Sequence, residues 1–276
     1  MRARNRWLTG YAMLVYAFLF APIVILILFS FNDSRRNFQW RGFTTEWYPR
    51  LFENEAALDA LGVTFQVAII AVIVSTVLGT LLGLALARSR GRGIGAAETL
   101  LLLPMVTPEI ILGLSLLLLF AQVFDQSGSI GQLSIAHITF CISYVAVTVR
   151  ARATGLDPRY EEAARDLGAS AWGAFRYVTL PLVLPGIIAG AMLAFALSFD
   201  DYVVSTFNSG VGSSTLPLYI YSRIRFGVTP EINAISTIIV AMTAVAILVA
   251  WRVSAMRSTR AGKLVAGPDE GVAAQR

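Results

Sequence analysis

YEEAARDLGASAWGAFRYVTLP, residues 160–181, is a polar stretch set between two long apolar runs. Asp157-Pro158 opens it, and Asp suits a helix N-cap while Pro suits the first helical position. Glu161 and Glu162 fall near the first turn, where carboxylates complement the helix dipole. Ala163 and Ala164 favour helix. Gly168 reads as the stop, Ser170 as a second cap, and Ala171 to Val178 as a second short helix. The expectation is a helix-turn-helix outside the bilayer, with Ala and Gly side chains small enough to let another surface approach.

Working outward, the chain is mostly apolar. Of its 276 residues, 56% are hydrophobic and 14% charged, against about 25% charged in soluble domains. A charge at the bilayer centre costs roughly 2.5–3.5 kcal/mol on insertion scales, so charge-poor runs of about 20 residues read as spans. Six such runs are expected, at about 11–31, 61–87, 99–124, 129–149, 181–203 and 232–252. The fold class is therefore an all-α membrane protein with six transmembrane helices, one domain over 1–276, and a polar loop at 157–180. Residues 1–31 have the basic start of a signal peptide, but the long run without a small-x-small cleavage site reads as an uncleaved span, with Pro22 expected to kink it.

Arg and Lys set the orientation. With both termini cytoplasmic, the outer segments hold Arg35, Arg36, Arg41, Arg50, Arg223 and Arg225, and the other 16 of the 22 basic residues lie inside. The net charge of +5 is thus a topology signal, and no basic face is left for nucleic acid. The first outer loop mixes charges with Phe38, Trp40, Phe43, Trp47 and Tyr48, which reads as an interfacial helix or as a contact surface for an external partner.

Within the spans, Gly79 with Gly83 and Gly186 with Gly190 are small-xxx-small pairs that permit close helix packing. Pro104 and Pro108 break the third span beside Glu109. Counted along a straight axis from Glu98, Glu109 lies roughly 16 Å deep. A carboxyl there is either a functional group or a partner for backbone freed by the prolines. His137 and Cys141 sit one turn apart and read as satisfied intramembrane residues, since no further metal ligand is evident. Asp200-Asp201-Tyr202 falls roughly 28 Å along from Pro181, near the outer edge of the hydrocarbon. Two carboxylates there are a candidate attractor for a cation, and a solvated helix end is the ordinary alternative. No phosphate-loop, nucleophile-elbow, zinc-helix or redox motif is present, and the single Cys supports no disulfide. No catalytic or metal residue is expected, and the chain reads as a non-enzyme.

Glu162-Ala163-Ala164, then Gly168, then Val178-Thr179-Leu180-Pro181, resembles the EAA loop of membrane subunits of bacterial ABC importers, with Val where Ile is usual. Further similarity to the C-type permease of spermidine/putrescine importers runs through His137-Ile138-Thr139-Phe140-Cys141, Leu197-Ser198-Phe199-Asp200-Asp201, and Leu216-Pro217-Leu218 to Glu231-Ile232-Asn233-Ala234. The resemblance implies a MetI-like permease fold in a bacterial inner membrane. It implies partnership with a second homologous permease, two ATPase subunits and a periplasmic substrate-binding protein. ATP and Mg would belong to the ATPase, and this chain would bind no cofactor. The coupling residues implied are Glu161, Glu162, Ala163, Ala164, Asp166, Gly168, Leu180 and Pro181. The substrate implied is a polyamine, with ferric iron, an opine or an amino-acid-like cation as alternatives within the superfamily. Chemistry, rather than a family motif, suggests Glu109, Asp200, Asp201 and Tyr202 for the substrate pathway. An independent channel or secondary transporter is the reading from another class, and it leaves the polar loop without a purpose.

Overall fold

Helices cover Arg6–Phe29 (α1), Trp47–Glu53 (α2), Glu55–Arg88 (α3), Ile94–Val106 (α4), Glu109–Val123 (α5) and Ile130–Thr154 (α6). They continue with Arg159–Asp166 (α7), Ala171–Ala174 (α8), a π-turn at Phe175–Thr179, Leu180–Asp200 (α9), Val203–Asn208 (α10), Leu216–Ile224 (α11) and Pro230–Val265 (α12). The computed structural model describes residues 6–34, 39–89, 91, 93–123, 128–225, 227 and 229–265. Among these the regular elements are all helical. The expectations for Arg35, Arg36 and Phe38, for Arg2, Arg4, Arg90, Arg92 and Arg276 among the inner basic residues, and for Phe124 at the end of the third run lie outside the described residues.

The chain separates into two units, Glu55–Ser222 and the pair Met1–Asn54 with Arg223–Arg276. In the larger unit α6 is the centre, packed by α3 and α9. In lipid the gain from such packing is dispersion rather than hydrophobic burial, so backbone approach decides its strength. The glycine pairs provide that approach. A methyl on Gly79 would stand 2.7 Å from Cβ of Val145, and one on Gly83 would stand 2.6 Å from the carbonyl oxygen of Ala146. On the other side, a methyl on Gly190 would lie 3.2 Å from Cα of Val145, and one on Gly186 would lie 2.7 Å from Cβ of Arg152. Both glycine pairs therefore grip residues 145–152 of α6. Val145, Ala146 and Val149 are fully buried between them.

Among the described residues, four helical stretches are long and apolar enough to cross a membrane: Trp7–Phe29, Glu55–Arg88, Ile130–Thr154 and Ala171–Asp200. Each differs at its ends from the run expected. α6 passes Arg150 and Arg152 and stops at Gly155, because these charges find partners. Arg150 pairs with Glu98 of α4, and Nε of Arg152 donates to the Leu182 carbonyl at 3.0 Å. The start of α6 is a capping box: Ser129 accepts from the Gln132 amide, and Gln132 Oε1 accepts from the Ser129 amide. The expected second helix at Ala171 to Val178 is not a separate piece. It joins α9 in one continuous path of 30 residues. The widened π-turn ends two residues before Pro181, whose ring would crowd the carbonyl of Tyr177 in a regular α-turn.

The third run is also corrected. α4 and α5 meet at Thr107-Pro108 with a bend of 104°. Thr107 is extended, as the residue before Pro prefers, and its hydroxyl donates back to the Leu103 carbonyl at 2.7 Å. Pro104 is carried inside α4. Counting depth along a straight axis therefore does not place Glu109. α12 is 36 residues long, and its apolar part among the described residues is Pro230–Val245.

In the smaller unit α1 is apolar all round and runs unbroken through Pro22, and α12 packs against α1 and α2. The loop after α1 folds back on itself around Asn32, which is fully buried. Its Nδ2 donates to the Gln39 carbonyl at 2.8 Å, its Oδ1 accepts from the Arg41 amide at 3.0 Å, and its carbonyl accepts from Trp47 Nε1 at 2.9 Å. Phe31 stacks on Phe43, with ring centroids 5.3 Å apart. Trp47 is thus interior, while Trp40 and Phe43 remain exposed.

Candidate functional site

The loop from Asp157 to Pro181 is built locally, as its sequence requires. Asp157 Oδ1 accepts from the Arg159 amide at 3.0 Å, and Pro158 already has helical angles. Gly168 has φ +90°, a left-handed conformation that ends α7 at little cost only for Gly. Ser170 accepts from the Gly173 amide at 3.1 Å and starts α8. No residue of α7 is buried. Glu162, Ala163 and Asp166 are exposed on it, while Ala164 is half-buried. Leu167 is 90% exposed, Trp172 66% and Tyr160 60%, which is a large apolar display for a polar loop. Pro181 is exposed and Leu180 half-buried, both within the continuous helical path to α9.

Glu161 differs from its neighbour. Its Oε2 accepts from Arg88 Nη2 at 2.6 Å and from Thr179 Oγ1 at 3.1 Å, and its Oε1 accepts from Arg165 Nη2 at 2.9 Å. Arg88 Nη2 also reaches Thr179 Oγ1 at 3.3 Å.

The four acid-pathway candidates are placed differently from one another. Glu109 is exposed at the start of α5, immediately after the bend, and Asp200 is exposed at the last position of α9. Asp201 turns inward. Its Oδ1 accepts from the Val204 amide at 3.2 Å and its Oδ2 from the Ser205 amide at 2.7 Å, so it caps α10. Its Oδ2 also lies 3.4 Å from His137 Nε2. Tyr202 is half-buried, with its ring 4.5 Å from that of Tyr221. Among the described residues no hydrogen bond or ion pair joins Glu109 to Asp200 or Asp201.

His137 is fully buried and meets Ser198 through Nδ1 and Ser205 through Nε2. The order Ser198, His137, Asp201 is that of a hydrolytic triad, but Ser198 is 3% exposed and leaves a substrate no approach. Cys141 Sγ lies 3.6 Å from the Ala194 carbonyl. No group of three metal-ligating side chains occurs among the described residues. Ser198 and Ser205 were not picked out from the sequence. The signal for them was the run of polar residues at 198, 201 and 205, spaced three and four apart beside an apolar helix.

A bundle of apolar helices gripped through glycine pairs, with a two-helix loop carrying Glu-Ala-Ala, Gly and Leu-Pro, defines a permease subunit of a MetI-type ABC importer. The family profile described as "Binding-protein-dependent transport system inner membrane component" matches residues 79–258, and the chain belongs to that family. It is 41% identical over 254 residues to the putrescine transport system permease protein PotI of Escherichia coli (strain K12), covering 90% of each chain. It is 43% identical to the spermidine/putrescine transport system permease protein PotC of Haemophilus influenzae (strain ATCC 51907 / DSM 11121 / KW20 / Rd), over 85% of this chain and 91% of that one. Its fold is shared with a bacterial alginate ABC transporter solved in complex with an alginate pentasaccharide-bound periplasmic protein. There the TM-score is 0.67 at 17% identity, over 89% of this chain and 93% of the other.

Proposed function

We propose that this chain is a translocation-pathway subunit of an ATP-driven importer for polyamines, and that its Asp157–Pro181 loop takes the stroke of a separate ATPase. The observation that carries the coupling role is the exposed apolar display of Tyr160, Leu167 and Trp172 on a helix pair that buries nothing in α7. Large apolar side chains left exposed within a 25-residue polar loop support a docking surface there. Glu162, Ala163 and Asp166 lie on the same exposed helix. The proposed partners are a second permease, two ATPase subunits that hold ATP and Mg, and a periplasmic binding protein that delivers substrate. The chain itself performs no chemistry. It crosses the bacterial inner membrane six times, with both ends and the loop on the cytoplasmic side.

The polyamine reading rests on the names of the relatives and on acid chemistry. Asp200 and Glu109 are exposed carboxylates at the ends of apolar helices, and the Tyr202–Tyr221 pair offers ring faces to an alkylammonium group. Affinity purification and proteoliposome uptake test this proposal. The complex is expected to retain an ATPase and to take up putrescine or spermidine only with ATP. Uptake by this chain alone, driven by an ion gradient, would replace it with a secondary transporter. A cognate binding protein whose melting temperature ignores both polyamines would move the substrate to ferric iron, an opine or an amino-acid-like cation.

A further inference from the structure

We infer that Glu161 is the positioning residue that joins the docking loop to two spans, a task separate from the docking of Glu162 one residue away. The inference rests on the coupling role proposed above and divides it between the two carboxylates. Successive residues on a helix point about 100° apart, so adjacent glutamates face different surroundings. Glu162 is exposed. The Glu161 side chain is 21% exposed and reaches Arg88, 73 residues earlier, and Thr179, 18 residues later. Arg88 is the last residue of α3, and Thr179 is the last residue of the π-turn that runs into α9.

α7 buries no residue, so apolar packing does not fasten it. Among the described residues, the side-chain hydrogen bonds from α7 to α3 and to the π-turn are those of Glu161. The side-chain hydrogen bonds that pass a displacement of α7 to the ends of α3 and α9 are therefore those of this one carboxylate. The alternative route to α9 runs along the chain, through Gly168 and the single turn of α8. Arg165, four residues on, holds the second carboxylate oxygen and fixes the rotamer of Glu161. Charge-assisted bonds of this kind are directional, which a joint that transmits movement requires.

The test uses the assembled transporter in proteoliposomes and reads putrescine moved per ATP hydrolysed. A plain folding defect lowers uptake and hydrolysis together and leaves that ratio unchanged. Glu161→Gln is expected to keep the ATPase bound while the ratio falls by about five- to tenfold. Arg88→Gln should shift the ratio in the same direction, and the double variant should be little worse than Glu161→Gln alone, because both break the Arg88–Glu161 bond. Thr179→Val should shift the ratio in the same direction by less. Loss of the ATPase from Glu161→Gln would make Glu161 a docking contact and overturn the proposal. An unchanged ratio, or effects of Glu161→Gln and Arg88→Gln that simply add, would also overturn it. Should Glu161→Gln fail to insert, unchanged ratios in both Arg88→Gln and Thr179→Val decide against the proposal. A wild-type complex that retains no ATPase or moves no putrescine removes the underlying reading and this proposal together. Normal wild-type uptake with unchanged variants removes this proposal alone.

Discussion

The imidazole Nδ1 of His137 stands 2.8 Å from the hydroxyl oxygen of Ser198, while its Nε2 stands 3.1 Å from that of Ser205. One ring thereby joins α6, the last turn of α9 and the short α10. The Asp201 carboxylate closes the group from the far side while capping α10. Just past the exposed Asp200 that ends α9, the chain is held by a buried polar cluster.

Removing that ring leaves buried hydroxyls and a carboxylate short of partners. His137→Ala is expected to lower stability by about 1–3 kcal/mol, the usual cost of orphaned buried polar groups. Thermal unfolding of the detergent-solubilised protein checks this. A melting temperature equal to wild type would show the cluster to be dispensable.

The two adjacent aspartates should separate by readout. Asp201→Ala removes the acceptor for two α10 amides and should cost about 0.5–2 kcal/mol of stability. Asp200→Asn touches an exposed group at the end of α9, so melting should not change. Its effect is expected in putrescine uptake, lowered by up to about tenfold, equivalent to roughly 1.4 kcal/mol. Uptake and melting curves on the same two variants compare them directly.

Two glycines of α3 should respond oppositely to one methyl. Gly83→Ala places it 2.6 Å from the Ala146 carbonyl oxygen and 3.2 Å from the Arg150 amide nitrogen, both backbone atoms. The helices must part, at a cost of about 1–3 kcal/mol. Gly62→Ala meets nothing within 4 Å. It should be neutral, or stabilising by up to about 1 kcal/mol through helix propensity. Detergent melting of the pair reads the difference, and equal shifts would mean that α3 and α6 do not touch as described.

Glu162→Lys should insert and melt as wild type, because the side chain is exposed and bonds to none of the described residues. ATPase retention on affinity purification should fall by about tenfold or more, since a like charge or lost pair at an interface costs a few kcal/mol. Full retention would show that this face does not dock.

The side of the membrane on which the loop lies is open to chemical labelling. Cys141 is the chain's one cysteine and is buried, so Cys141→Ala gives a background free of thiols. Trp172→Cys in that background, at a position 66% exposed, should react with an impermeant maleimide only in inside-out vesicles. Labelling in right-side-out vesicles instead would reverse the topology proposed for the loop.

Asp157, Gly168 and Ser170 were legible in the sequence because caps and a left-handed glycine act within a few residues of themselves. The ends of the spans were harder to read. Arg150 and Arg152 look like terminators until Glu98 and the Leu182 carbonyl, far away in sequence, are seen to receive them. Asp200 and Asp201 look alike in sequence, and only the approach of His137 and the start of α10 separates an exposed acid from a buried cap.

The sequence by itself determined the class, the glycine pairs and the local form of the loop, because charge-poor length, residue size and backbone preference are properties of short segments. The tertiary structure decided which side chains bear on one another. It set the grip of both glycine pairs on residues 145–152, the 104° bend that defeats a depth count, and the different surroundings of Glu161, bonded to Arg88 and Thr179, and of the exposed Glu162. Those outcomes depend on distances between segments tens of residues apart, and no periodicity along one segment encodes such a distance.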